Sequence, residues 1–206
     1  MRGGGGGFCW WVQRGKRVSL TVRSDLRQVP DNQEVFVARD GDDSIVFDIL
    51  ELCAEAGEEE AAAYHFADIA DANASSERTV LGVRKLDTGP DTSAYILQGL
   101  QKVSKFGRER GLRGTEDVLL LTLVCARMPS VATDLVLSYN RPLASSSGGG
   151  GGGDPWSSSS APAAAAVVDP RVLAAAEDVL RTAWENFQGL DWGLFGIHGS
   201  PAAETR

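Results

Sequence analysis

Apolar positions between residues 44 and 55 recur as Ile45, Val46, Ile49, Leu50 and Cys53. That spacing predicts an amphipathic helix with one buried stripe, capped by Asp43 or Ser44. Asp48, Glu51 and Glu55 fall on its opposite face. Glu51 and Glu55 are like charges one turn apart, which costs an isolated helix on the order of a few tenths of a kcal/mol. Such a face is either simply solvated or presents carboxylates to a partner. Just upstream, Val29 precedes Pro30 and is pushed out of the α region. Pro30-Asp31-Asn32 is turn chemistry, and the β-prone run Glu34 to Ala38 predicts a short strand.

The pattern continues with Gly57 as a helix stop and a second helix over Glu58 to Ala72. Glu58, Glu59 and Glu60 would occupy its first turn, where the dipole favours anions, and Ala62, Tyr64, Phe66 and Ile69 would make its apolar contacts. Strands are expected at Val18 to Val22, Thr79 to Leu86, Ala94 to Phe106 (half-exposed), Asp117 to Arg127 and Thr133 to Tyr139. The run Val118 to Ala126 is apolar on both faces and predicts a central strand. Gly89-Pro90 reads as a turn and Gly107 to Gly114 as a charged loop. Asp169-Pro170 starts a last helix. Its stripe is Val172, Leu173, Ala176, Val179, Leu180, Ala183 and Phe187, Gly189 ends it, and Leu190 to Phe195 folds back on an edge. The element order is that of an α+β fold: an antiparallel sheet, two helices between its early strands and one long helix after its last.

Composition adds boundaries. The chain has 206 residues, 43% of them hydrophobic, enough for one sizeable core. Residues 144–168 are dominated by Ser, Gly and Ala, a composition that cannot offset the entropy of ordering, so a flexible insert is expected. Its Gly148 to Gly153 run lacks the Lys-Ser/Thr and the strand-helix frame of a phosphate loop, and Trp156 is the one residue in it suited to docking. The expected organisation is residues 24–143 as the first part of a domain and 169–197 as the helix completing it. Residues 198–206 form a frayed tail.

Charge changes the picture more. The net charge is −8, which argues against non-specific nucleic-acid binding. From Asp31 to Glu77 there are fourteen acids against Arg39 alone, whereas Arg84 to Arg113 holds seven basic residues against three acids. The expected molecule is dipolar, with an acidic side suited to a basic partner. The three cysteines, Cys9, Cys53 and Cys125, have no C-x-x-C spacing; Cys53 and Cys125 sit in apolar runs and predict small core residues, and a reducing compartment is the default. No apolar run reaches membrane-spanning length.

Catalytic signatures are missing. There is no G-x-S-x-G, H-E-x-x-H, Walker or dinucleotide motif, and the acidic residues lack the apolar setting that would raise a carboxyl for acid catalysis. His65 beside Asp68 suggests a metal or catalytic pair, but no second His or Cys ligand lies nearby, and a surface or half-buried histidine in an ordinary hydrogen bond is the expectation. No cofactor, metal or enzymatic activity is expected.

Leu26-Arg27-Gln28-Val29-Pro30-Asp31-Asn32-Gln33-Glu34-Val35-Phe36 resembles the signature of the Ran guanine nucleotide release factors, the Mog family. Asp48-Ile49-Leu50-Glu51 resembles the family's next helix, Tyr64-His65-Phe66-x-Asp68 the segment after it, and Thr133-Asp134-Leu135-Val136-Leu137-Ser138-Tyr139-Asn140-x-Pro142 its late strand. Leu194-Phe195-Gly196 also fits. The matches fall in family order. Residues 1–23 depart from the family's apolar-Gly-Gly opening, as a diverged end or a wrongly assigned first exon would.

The resemblance implies an α-β-α sandwich with a central antiparallel sheet flanked by helices, the Mog/PsbP-like fold. It implies binding to the small GTPase Ran, release of its guanine nucleotide (GTP) and support of nucleocytoplasmic transport, in nucleus and cytoplasm, without nucleic acid or membrane and as a monomer. The family's partner-contacting acids carry over to Asp48 and Glu51. Asp31, Gln33 and Glu34 at the preceding turn extend that surface by proximity. Two alternatives share the fold: a plastid-lumen PsbP-like photosystem assembly factor, and an interaction scaffold without exchange activity.

Overall fold

β-branched and leucine-rich runs supply most of the middle of the chain, and they pair as strands. The computed structural model describes residues 8–13, 16–22, 30–39, 41–88, 92–104, 116–143 and 168–185. Its strands are β1 (Phe8–Gln13), β2 (Lys16–Val22), β3 (Gln33–Ala38), β4 (Ser44–Glu51), β5 (Glu77–Leu86), β6 (Ser93–Ser104), β7 (Glu116–Met128) and β8 (Thr133–Leu143). The helices are α1 (Ala61–Ala72) and α2 (Pro170–Glu185). All eight strands form one sheet in the order β1-β2-β3-β4-β8-β7-β6-β5, and every neighbouring pair is antiparallel. The chain leaves β4 through α1 for the far edge, β5. It then returns by hairpins through β6 and β7 to β8, which lies beside β4.

Side chains alternate between the faces of the sheet. Ile96, Leu100, Leu120, Val124, Leu137 and Tyr139 point to one face, where α2 covers them with Ala176, Leu180 and Ala183. Tyr95, Leu97, Leu121, Leu123, Cys125 and Val136 point to the other, against Ala61, Ala62 and Phe66 of α1. Each fully buried large side chain contributes about 1.5–3 kcal/mol. Close seating of α1 depends on Gly99 of β6, where an added Cβ would lie 2.5 Å from Phe66 Cζ and 3.0 Å from the Thr79 carbonyl oxygen. Helix α2 starts as its sequence predicts. The Asp169 carboxylate accepts from the Arg171 N–H at 2.8 Å, and Gln98 Nε2 donates to the Leu173 carbonyl at 2.8 Å. Val168, ahead of the helix, is buried with the α2 cluster.

The α-β-α sandwich is therefore the observed architecture, with β3, β5, β6, β7, β8 and α2 at or near their predicted places. The first predicted helix is not there: residues 44–51 are strand β4. Ile45, Val46, Phe47 and Ile49 are β-branched or aromatic, stiff in a helix and well fitted to a pleated sheet. Partners β3 and β8 on both sides satisfy their backbone, so tertiary pairing overrides the helical spacing. One helix, not two, then separates the early strands. Gly57 does not end a helix; its carbonyl accepts from the Ala61 N–H at 3.0 Å as α1 begins. Glu58 and Glu59 precede α1 and Glu60 stands at its cap position. Strand β6, expected half-exposed, buries Ala94 to Leu97 and Leu100 to Gln101 because both helices cover it. The Phe8–Gln13 strand had no predicted counterpart. Gly89-Pro90, Gly107 to Gly114, Trp156, Phe187, Gly189, the Leu190 to Phe195 fold-back and Leu194-Phe195-Gly196 lie outside the described residues.

Candidate functional site

The acids singled out by sequence gather on and beside β4, on a strand instead of a helix. Pro30 and Asn32 build the turn before β3. The Gln33 N–H donates to the Pro30 carbonyl at 3.0 Å, and Asn32 Nδ2 donates to the Ile49 carbonyl at 3.0 Å. In register, Gln33 stands opposite Asp48, and its Nε2 donates to Asp48 Oδ1 at 2.7 Å. Positions 48 and 51 differ by an odd number, so their side chains leave opposite faces of the sheet. Asp48 is half-buried on the α1 face. Glu51 is exposed at the strand end, as are Asp31 and Glu34. The structure thus joins Asp48 to Gln33 and separates Asp48 from Glu51. Burial raises the Asp48 carboxyl above the usual carboxylate range, and the Gln33 bond and the charge of His65 offset part of that rise.

Charge compensation differs across the molecule. Three basic groups of β5 and β6 are paired, Arg78 with Asp71, Arg84 with Glu177, and Lys102 with Glu77 at 3.4 Å, and Lys85 lies over the Tyr95 ring. Asp31, Glu34 and Glu51 form no ion pair among the described residues.

A second cluster lies behind these acids, and sequence reasoning passed over most of it. Asp134 of β8 is fully buried and Arg127 of β7, its direct neighbour in register, is 6% exposed. Arg127 Nε donates to Asp134 Oδ1 at 3.0 Å. Asp134 Oδ2 accepts from the Cys53 N–H at 3.0 Å and lies 3.0 Å from His65 Nε2. An ionised carboxylate only accepts, so the His65 nitrogen is the donor. His65 is therefore buried and bonded to Asp134, neither at the surface nor paired with Asp68. Burial alone would raise the Asp134 carboxyl. The bonds from His65, the Cys53 N–H and Arg127, with the Arg127 charge, outweigh it and hold the carboxyl below its ordinary value. The available signal was a charged residue interrupting each of two apolar strand runs, at Arg127 and Asp134.

His65, Cys125 and Asp134 bring ligand atoms within 4.8 Å of one another. Their chemistry fits a hydrogen-bonded knot better than a cation site. Both Asp134 oxygens are engaged, a guanidinium sits beside them, and burial pushes the Cys125 thiol up to about 12, whereas a metal needs the thiolate.

Arg127 reaches further. Its Nη1 donates to the Ala56 carbonyl at 2.7 Å, and its Nη2 donates to the Cys53 carbonyl. The Leu52 N–H donates to the Ala132 carbonyl at 2.8 Å. The segment between Glu51 and α1 is thus held, through its backbone groups, by side chains of β7 and β8 and by the backbone of the turn between them.

The site is thus an antiparallel sandwich in which Asp31, Glu34 and Glu51 have no ion pair among the described residues. The family model described as Ran-interacting Mog1 protein matches residues 19–142, and the chain belongs to that family. The Ran guanine nucleotide release factor of Bos taurus is 42% identical over 125 residues, 58% of this chain and 64% of that protein. The Danio rerio factor of the same name is 34% identical over 128 residues, 58% of this chain and 67% of that one. The nuclear import protein mog1 of Schizosaccharomyces pombe is 30% identical over 133 residues, 60% of this chain and 68% of that one. The matched region thus spans about two thirds of these relatives' length. A solved structure of a Mog1 point mutant superposes with a TM-score of 0.60 at 20% identity, covering 92% of this chain and 99% of that one. It shows the common fold.

Proposed function

We propose that this protein binds the small GTPase Ran and promotes release of its bound guanine nucleotide, in support of nucleocytoplasmic transport. The observation that carries the reading is that the family match over residues 19–142 contains the whole uncompensated acidic edge. A protein that binds nucleotide-free Ran more tightly than loaded Ran weakens nucleotide by the same factor. It needs no catalytic group, only a surface complementary to one state. Glu51 offers an exposed carboxylate for a basic group of the GTPase. Asp48, held by Gln33, stiffens the strand beneath it, and Asp31 and Glu34 continue the edge. The protein acts in nucleus and cytoplasm, where a fluorescent fusion would place it.

Glu51→Lys is the direct test, because an exposed position tolerates substitution within about 0.5 kcal/mol. Its circular dichroism should match the wild type, while binding to Ran and release of GTP are strongly reduced. Asp48→Lys added to it should deepen the loss. Unchanged GTP release by the folded Glu51→Lys protein would show that this edge is not the contact.

A further inference from the structure

We propose that Arg127 is a positioning residue for partner binding: its guanidinium, anchored on Asp134, clamps the segment that follows Glu51 and so sets where the acidic edge stands. The proposal rests on the Ran-binding reading and extends it to residues that touch no partner.

Residues 52–60 contain no helix or strand, yet they carry the chain from Glu51 to α1 and include the exposed Glu55, whose Oε2 accepts from Tyr64 Oη at 3.3 Å. Three of the backbone groups in this segment bond to the buried ions. The Cys53 N–H donates to Asp134, and the Cys53 and Ala56 carbonyls accept from the two ends of the Arg127 fork. A buried ion pair adds little net stability over an apolar pair of the same shape. An apolar pair could not hold two carbonyls three residues apart, and a planar guanidinium with donors in fixed directions can. His65 belongs to the same knot through its bond to Asp134. The cluster therefore does a task that hydrophobic packing cannot, which is to pin an irregular segment directly behind the contact residue.

Arg127→Lys separates positioning from mere structure, since lysine keeps the charge beside Asp134 but loses the fork. Hydrogen exchange at the amides of residues 52–57 should rise about tenfold or more, as expected for the loss of one charge-assisted bond, while the amides of β7 and β8 stay protected. Ran affinity should fall about tenfold, by the same arithmetic. Glu51→Gln should then cost less affinity in the Arg127→Lys background than in the wild type, a coupling that a general loss of stability does not produce. Should Arg127→Lys fail to fold, Asp134→Asn, which keeps the side-chain shape, carries the same three measurements. Unchanged exchange in residues 52–57, or equal costs of Glu51→Gln in both backgrounds, overturns the proposal while leaving Ran binding intact. A wild-type chain that does not bind Ran overturns the functional reading and the positioning claim with it.

Discussion

The two faces of the sheet are closed by different means. Under α2, the cluster from Ile45 through Leu120, Val124 and Leu137 to Leu180 is mostly hydrocarbon; its polar groups are the Tyr139 hydroxyl, which donates to Asp43 at 2.6 Å near the β3–β4 hairpin, and Gln98, which donates to Thr122 Oγ1 at 3.3 Å and to the Leu173 carbonyl at 2.8 Å. Under α1, an apolar patch around Phe66 and Leu123 adjoins the ionic knot of His65, Arg127 and Asp134. The apolar face tolerates imperfect packing by degrees. The knot does not, because removing one ion strands the others. The knot also lies on the side that holds Asp48 and the segment behind Glu51.

The comparison breaks most sharply with a pair of truncations. Asp134→Ala leaves the Arg127 charge buried without its partner and should cost about 3–5 kcal/mol. Leu180→Ala on the other face removes buried hydrocarbon and leaves a cavity, at about 2–5 kcal/mol depending on collapse. Urea denaturation gives both values. The discriminating result is the response to a second change. Replacing Arg127 and Asp134 together by apolar residues of similar volume should recover much of the first loss. No further apolar change should recover the loss at Leu180 unless it refills the cavity.

Gly99→Ala is expected to rank next. The new methyl would press on the Phe66 ring and lift α1 from β6, an overpacking cost of about 1–3 kcal/mol. Phe66→Leu in the same chain should relieve it, and thermal melts of the two variants test the claim. If Gly99→Ala melts as the wild type, the α1 seat is looser than its distances imply.

The same contrast decides how much was legible in the sequence. The α2 face was readable because hydrocarbon periodicity is what packs there: Val172, Leu173, Ala176 and Leu180 lie on one stripe, and Asp169-Pro170 caps it. The central strand β7 was readable for the same reason. Strand β4 was misread because Ile45, Val46, Ile49, Leu50 and Cys53 satisfy helical spacing by coincidence. Its partners β3 and β8 are set by contacts distant in sequence, Ile45 with Tyr139 among them. Asp48 and Glu51, carried over from the resemblance, were placed on a helix where the structure has a strand. Of the knot only the charges of Arg127 and Asp134 in apolar strand runs were legible; their meeting with His65 was not, since the three are brought together only by the β7–β8 register and the seat of α1. No local pattern encodes a carboxylate that bonds across sixty-nine positions.

The smallest expected effect is a difference in sign between two buried carboxyls. Asp134 is held below its ordinary value in the folded chain. Its charged form therefore stabilises the fold above the unfolded value of about 3.9, and that stability is lost as pH falls through the lower, folded value. Asp48 is raised by burial, so the opposite holds. Its charge costs stability at neutral pH, and the cost is relieved as pH falls through the raised folded value toward about 3.9. Between those two values the wild type should gain a little stability on mild acidification from this one group. Asp48→Asn should remove that gain, and the variant should be slightly more stable than the wild type at neutral pH, since no charge is left to desolvate. Urea midpoints measured for both proteins at neutral pH and at mildly acid pH supply the test. If the difference between the two midpoints does not shrink on acidification, the Gln33 bond and the His65 charge fully offset burial. Asp48 would then stand with Asp134 as a satisfied ion of the α1 face.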